Sequence, residues 1–296
     1  MQKKGCFGQF WYMLGPIIIQ NIVALAVSMA ASTAVLLLNF DEYMKVIMSA
    51  DQQAVMEYVM EQTNEVLAHS AHLALVTALC TIPIMWILFH RDEKKRKQTT
   101  AVGQMSSQKV KWTKFLIIIP FAAAVGLVLN NISLLADLAI ASEAYAETSV
   151  KQYAIPLIGQ LIGYGLITPL SEELIFRGLI YKRLRDDFSF KNAMFTSAIL
   201  FGFFHGNMIQ MLYAFGMGLL LAYLYEKYHS LAAPVLAHGM VNIVSVLLTE
   251  AGGFTWMFEN PLRISLVSIL CAAAASGIYV KFFMNDQKDE KISEEK

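Results

Sequence analysis

The chain has 296 residues, 56% hydrophobic and 16% charged, with a mean hydropathy of +0.50 and 23 basic side chains balanced by 23 acidic ones. So apolar a composition excludes an ordinary soluble domain, and the absence of a basic surplus excludes a nucleic-acid partner. Cys6, Cys80 and Cys271 show no paired spacing, which argues against disulfides or cysteine-based metal sites.

Apolar runs of about 20 residues, enough to cross a hydrocarbon core of roughly 30 Å, recur along the chain. They predict an all-α, polytopic membrane protein of about eight transmembrane helices, over residues 10–38, 69–90, 115–136, 153–181, 190–207, 208–227, 230–249 and 261–283. The first run follows Lys3 and Lys4, but its length and the interfacial aromatics Phe10, Trp11 and Tyr12 predict an uncleaved helix rather than a signal peptide. The outer loop after it is acidic, with Asp41, Glu42, Asp51, Glu57, Glu61 and Glu65 against Lys45 alone. After the second run comes the basic stretch RDEKKRK (Arg91 to Lys97), a topology anchor that could also touch anionic lipid.

With the N-terminus inside, 19 of the 23 basic residues fall on the cytoplasmic side and only Lys45, Lys151 and Arg263 outside, with Arg177 in the membrane. This bias predicts a multi-pass protein of the cell membrane with both termini cytoplasmic. Short loops leave no room for a soluble domain, so residues 1–296 are expected to form one membrane domain, with a charged, disordered tail at 285–296.

Ionisable groups inside a span cost about 2.5–3.5 kcal/mol each on insertion scales and mark candidate functional sites. Here they are Glu172, Glu173 and Arg177 in the fourth run, His205 in the fifth, and His238, accompanied by Asn242, in the seventh. Glu173 and Arg177 share a helix face at i, i+4 with the acid first, a favourable pair that could be purely structural. Glu172 points about 100° away and has no local partner. His238 and Asn242 share a face, as do Phe201 and His205; His69, His72, His90 and His229 lie near span ends and read as interfacial. A rise of about 1.5 Å per residue puts Glu172 and His238 roughly 13 Å in, whereas His205, about 21 Å from Lys191, requires a tilted or late-starting fifth helix. Gly159, Gly163, Gly202, Gly206 and Gly239 would allow close helix approach, and Pro169 should free backbone carbonyls beside Glu172.

A carboxylate and two imidazoles in a wet cavity suit hydrolysis, with Glu172 taking a proton from water, His205 orienting that water, and His238 and Asn242 donating to the oxyanion. The alternative is a zinc site of His205, His238 and either Glu172 or Glu173. Zinc usually takes three protein ligands, and only two interior histidines are present, so the metal-free arrangement is preferred and zinc stays the alternative.

The stretches EELIFR (Glu172, Glu173, Arg177), FGFFH (Phe201, His205) and HGMVN (His238, Asn242) match EExxxR, FxxxH and HxxxN motifs in that order. The chain thereby resembles the CAAX protease and bacteriocin-processing family of intramembrane endopeptidases, also called the Abi family, over about residues 153–249. The resemblance implies an eight-helix endopeptidase whose cavity opens to membrane and cytoplasm and whose substrates are membrane-associated proteins or peptides. Glu172 and His205 would activate water, His238 and Asn242 would hold the oxyanion, and Glu173 and Arg177 would support them. Family substrates range from prenylated CAAX proteins to bacteriocins and surface proteins, and the family carries a metalloprotease label. A non-proteolytic immunity or scaffold protein of this fold, or a transporter with buried ion pairs, stays open beside the protease.

Overall fold

The computed structural model describes residues 6–99 and 112–284; the tail expected at 285–296 lies outside them. Every regular element among the described residues is helical. Helix α1 (Cys6–Leu38) is followed by α2 (Phe40–Met48) and α3 (Gln52–Ala68), and then by α4 (Ser70–Thr99). The acidic segment expected as a loop is therefore two helices. Asp51 starts α3 as its N-cap, its carboxylate accepting from the backbone N–H groups of Gln53 at 2.9 Å and Ala54 at 3.3 Å.

Helix α5 (Ile118–Ile140) leads to α6 (Glu143–Gln152) and α7 (Leu157–Asp187), which meet at a bend of 103°. Helices α8 (Phe190–Phe203), α9 (Met208–Tyr228), α10 (Ala232–Glu250), α11 (Gly253–Phe258) and α12 (Pro261–Met284) complete the chain. Asn207 caps α9 through Gln210 N–H at 2.9 Å, and Asn260 caps α12 through Leu262 N–H at 2.9 Å. Gly206, at φ +83°, makes the left-handed turn between α8 and α9.

The chain is thus an all-α, polytopic membrane protein. Among the described residues, six helices are long and apolar enough to cross a membrane, and the bent α6–α7 pair makes up to seven. Helix α8, with 14 residues, is about 21 Å long, short of the ~30 Å core. It ends before His205, so that residue sits in the turn rather than deep on a helix.

Helix α7 is the hub. All eight residues from Leu174 to Tyr181 are buried, packed against α1, α4, α8 and α9. At one end its charged residues are tied to neighbouring helices: Arg183 to Asp92 at 2.7 Å, Asp186 to Arg96 at 3.0 Å, and Arg185 to Glu226 at 2.7 Å. Arg183 also donates to the Tyr12 carbonyl of α1.

Candidate active site

Two π-helical stretches, Gly163–Ile167 and Leu174–Tyr181, flank the α-helical turn Thr168–Glu173 that carries both glutamates. Such widened turns recur at functional sites because they redirect backbone groups. Here the cause is local. Thr168 N–H bonds back to the Gly163 carbonyl, and Pro169 has no N–H to offer, so the Tyr164 carbonyl lacks a donor from either residue. Asn242 Nδ2 supplies it from α10 at 2.8 Å. Gly239 allows that approach, since a Cβ there would lie 2.2 Å from the Gly165 carbonyl oxygen. The freed carbonyl expected from Pro169 thus has a definite partner.

With α10 locked to α7, His238 meets the glutamate pair. Its Nδ1 lies 2.9 Å from Glu173 Oε1, which also accepts from Arg177 Nη1 at 3.0 Å. Glu173 and Arg177 are both fully buried, so the i, i+4 pair read from the sequence is real. Arg177 Nη2 donates to the Gly218 carbonyl of α9 at 3.0 Å, and its guanidinium carbon sits 4.5 Å from the centroid of Phe201. A carboxylate only accepts, so His238 Nδ1 carries a proton and the ring turns Nε2 toward Glu172, 3.8 Å from Oε2. That separation exceeds a direct hydrogen bond and leaves space for an atom touching both.

Phe201 joins the remaining motif. Its ring contacts Phe176 at 4.9 Å, His238 at 5.9 Å and His205 at 4.5 Å between centroids. His205 Nδ1 lies 2.6 Å from the Phe201 carbonyl, so in the neutral ring Nε2 keeps its lone pair. Glu172, Glu173, Arg177, Phe201 and His238 therefore form one contiguous cluster, to which His205 is attached through Phe201.

Glu172 opens on a cavity of about 700 Å³ bounded by α1, α3, α4 and α7. The cavity begins at Gln20 on α1 and climbs to Leu36, away from the Tyr12–Arg183 end and toward α2 and α3. Asn242 does not share it. Asn242 lines a second, polar cavity of about 110 Å³ with Asn130, Gln210 and Ser245, and Tyr164 lines both.

Sequence reasoning missed Tyr164 and Ser171, which line the large cavity on α7, and the whole α1 wall. Ala24, Ser28 and Ser32 recur every four residues in an otherwise bulky apolar helix, a signal that could have found that wall. Among the described residues, no three or more His, Cys, Asp or Glu side chains are arranged to hold a metal ion. Glu173 is bonded to His238 Nδ1 and Arg177, so it is not free to serve as the third ligand of the zinc alternative.

Residues 154–244 match a family described as "Type II CAAX prenyl endopeptidase Rce1-like". The chain is also similar to a Bacillus subtilis (strain 168) protein named "Putative membrane peptidase YdiL", 32% identical over 95 residues. That alignment covers 32% of this chain and 38% of the relative's length. No solved structure matches the chain. The matched segment holds all three motifs and every residue of the cluster around Glu173, and over that segment the chain is similar to these endopeptidases.

Proposed function

We propose that the protein is an intramembrane endopeptidase that hydrolyses peptide bonds of membrane-associated substrates with water activated by Glu172. The observation that carries this reading is the position of Glu172, on the wall of the 700 Å³ cavity and 3.8 Å from a histidine anchored by a fully buried ion pair. Of the two adjacent carboxylates, Glu173 is committed to Arg177 and His238, which leaves Glu172 to do the proton transfer.

Glu172 takes a proton from water as the oxygen attacks the scissile carbonyl carbon. His205, its Nδ1–H given to the Phe201 carbonyl, accepts from the same water through Nε2. His238, doubly protonated with Nδ1–H on Glu173, donates Nε2–H to the oxyanion of the tetrahedral intermediate. Glu172 then returns its proton to the leaving nitrogen as the C–N bond breaks, giving a carboxylic acid and an amine. Asn242 contributes as a positioning residue, holding α10 to the opened turn of α7. The charge bias favours both termini and the basic end of α4 around Lys94 on the cytoplasmic side.

The test is cleavage of single-span reporter proteins by the purified chain in proteoliposomes, with zinc measured alongside. Cleavage that survives chelation, at far less than one zinc per chain, is expected. About one zinc per chain, lost together with activity in His238→Ala and restored by added metal, would replace this mechanism with a metalloprotease one. A Glu172→Gln protein that retains its full effect in cells would favour the scaffold reading instead.

A further inference from the structure

The large cavity names a substrate class, an inference that rests on the protease reading above. Its axis follows α1 from Gln20 to Leu36, which at 1.5 Å per residue is about 24 Å. Its volume is about 700 Å³.

Three helix faces make the walls. Helix α1 presents Ala24, Ser28 and Ser32; α3 presents Gln62, Thr63 and Val66; α4 presents Ala74, Thr77 and Ala78. Glu172 is the one acidic or basic side chain among the lining residues, so nothing there pairs with an anionic group such as a buried C-terminal carboxylate. Next to it, Ser171 lines the cavity at 1% exposure with its Oγ lacking any hydrogen-bond partner. A buried hydroxyl without a partner is costly, and a backbone group of an extended substrate would satisfy it.

The far end of the cavity is roofed by α3, tied to the end of α1 by Asn39 Nδ2 donating to Gln62 Oε1 at 3.2 Å and Tyr58 Oη donating to the Asn39 carbonyl at 3.4 Å. On α2 and α3 the carboxylates of Asp41, Glu42, Asp51, Glu57, Glu61 and Glu65 are all exposed, and none pairs with a base among the described residues. Lys45 is the lone base in these helices. We propose that the cavity receives an extended, uncharged polypeptide segment whose basic flank lies at the α2–α3 end, the face opposite the chain's own basic residues. The acidic roof steers that flank and the neutral walls reject a charged segment.

Binding tests this without turnover. Two fluorescent peptides share a 16-residue uncharged core and amidated C-terminus, one flanked by three lysines and the other by three glutamates. Each is titrated against the full-length Glu172→Gln protein in nanodiscs. The lysine peptide is expected to bind at least tenfold more tightly at low salt. The preference should shrink in 0.5 M salt and in the triple variant Glu57→Gln/Glu61→Gln/Glu65→Gln, which alters only exposed side chains. Ser28→Trp or Ala74→Phe, each filling one wall, should weaken both peptides equally. Equal binding of the two peptides, tighter binding of the glutamate peptide, or full binding by both cavity-filled variants would overturn the proposal. Wild-type protein that binds the lysine peptide but never cleaves it contradicts the protease reading alone; cleavage without flank preference contradicts this inference alone.

Discussion

Glu172 and Glu173 are neighbours in sequence with different fates, and the 100° step of a helix was enough to separate them. The i, i+4 spacing made the Glu173–Arg177 pair legible, and the structure adds what spacing cannot supply: His238, the Gly218 carbonyl and the Phe201 face on three other helices. Removing either partner leaves a charge or donor set stranded in a site with no exposure. Glu173→Gln and Arg177→Ala are each expected to destabilise the protein by about 3–5 kcal/mol, read as a lowered thermal midpoint and yield in detergent. Midpoints equal to wild type would remove the ion pair from the account. Asn242 was legible only as a residue on the His238 face. Its target, the Tyr164 carbonyl, depends on a π-helical turn that leaves no periodic trace in the sequence.

Among elements, the long apolar runs read clearly because twenty consecutive lipid-compatible residues are a strong signal, whereas α2 and α3 did not, since their charged residues mimic a loop. Helix α8 read too long because the apolar run of FGFFH continues past the turn that ends it. Both GxxxG patterns proved half used. Gly163 and Gly202 face neighbours that a Cβ would meet at 2.6 Å and 2.7 Å, whereas Gly206 serves the turn and Gly159 would meet only Ile155, just before its helix, at 3.7 Å. Gly239 is the tightest contact of all, against backbone that cannot rotate away. Gly239→Ala should therefore pry α10 from α7 and lower both stability and activity by far more than Gly277→Ala, where a Cβ meets nothing within 4 Å. Indistinguishable thermal midpoints for the two variants would contradict the close α7–α10 packing.

At the scale of the whole molecule, the inter-helix ion pairs and the large cavity lie toward opposite ends. The residues that anchor α4, α7 and α9 to one another, Asp92, Arg96, Arg183, Arg185 and Glu226, lie at the basic end, and the cavity runs from Glu172 toward the acidic one. In a cysteine-free background, a single cysteine at position 57 should react with a membrane-impermeant thiol reagent on intact cells and one at position 95 should not; labelling at 95 alone would invert the topology. The cavity's direction was not legible, because its walls come from four separate elements. Its chemistry at one end was, because a carboxylate without a local partner in an apolar run is costly unless used. The most direct measurement is turnover of a reporter by purified Glu172→Gln beside wild type, with thermal midpoints of both. The account predicts a loss of at least about 100-fold in turnover at an unchanged midpoint, since the amide keeps the shape but accepts no proton from water. Wild-type turnover in Glu172→Gln, or a loss explained by a fall in its midpoint, would contradict it.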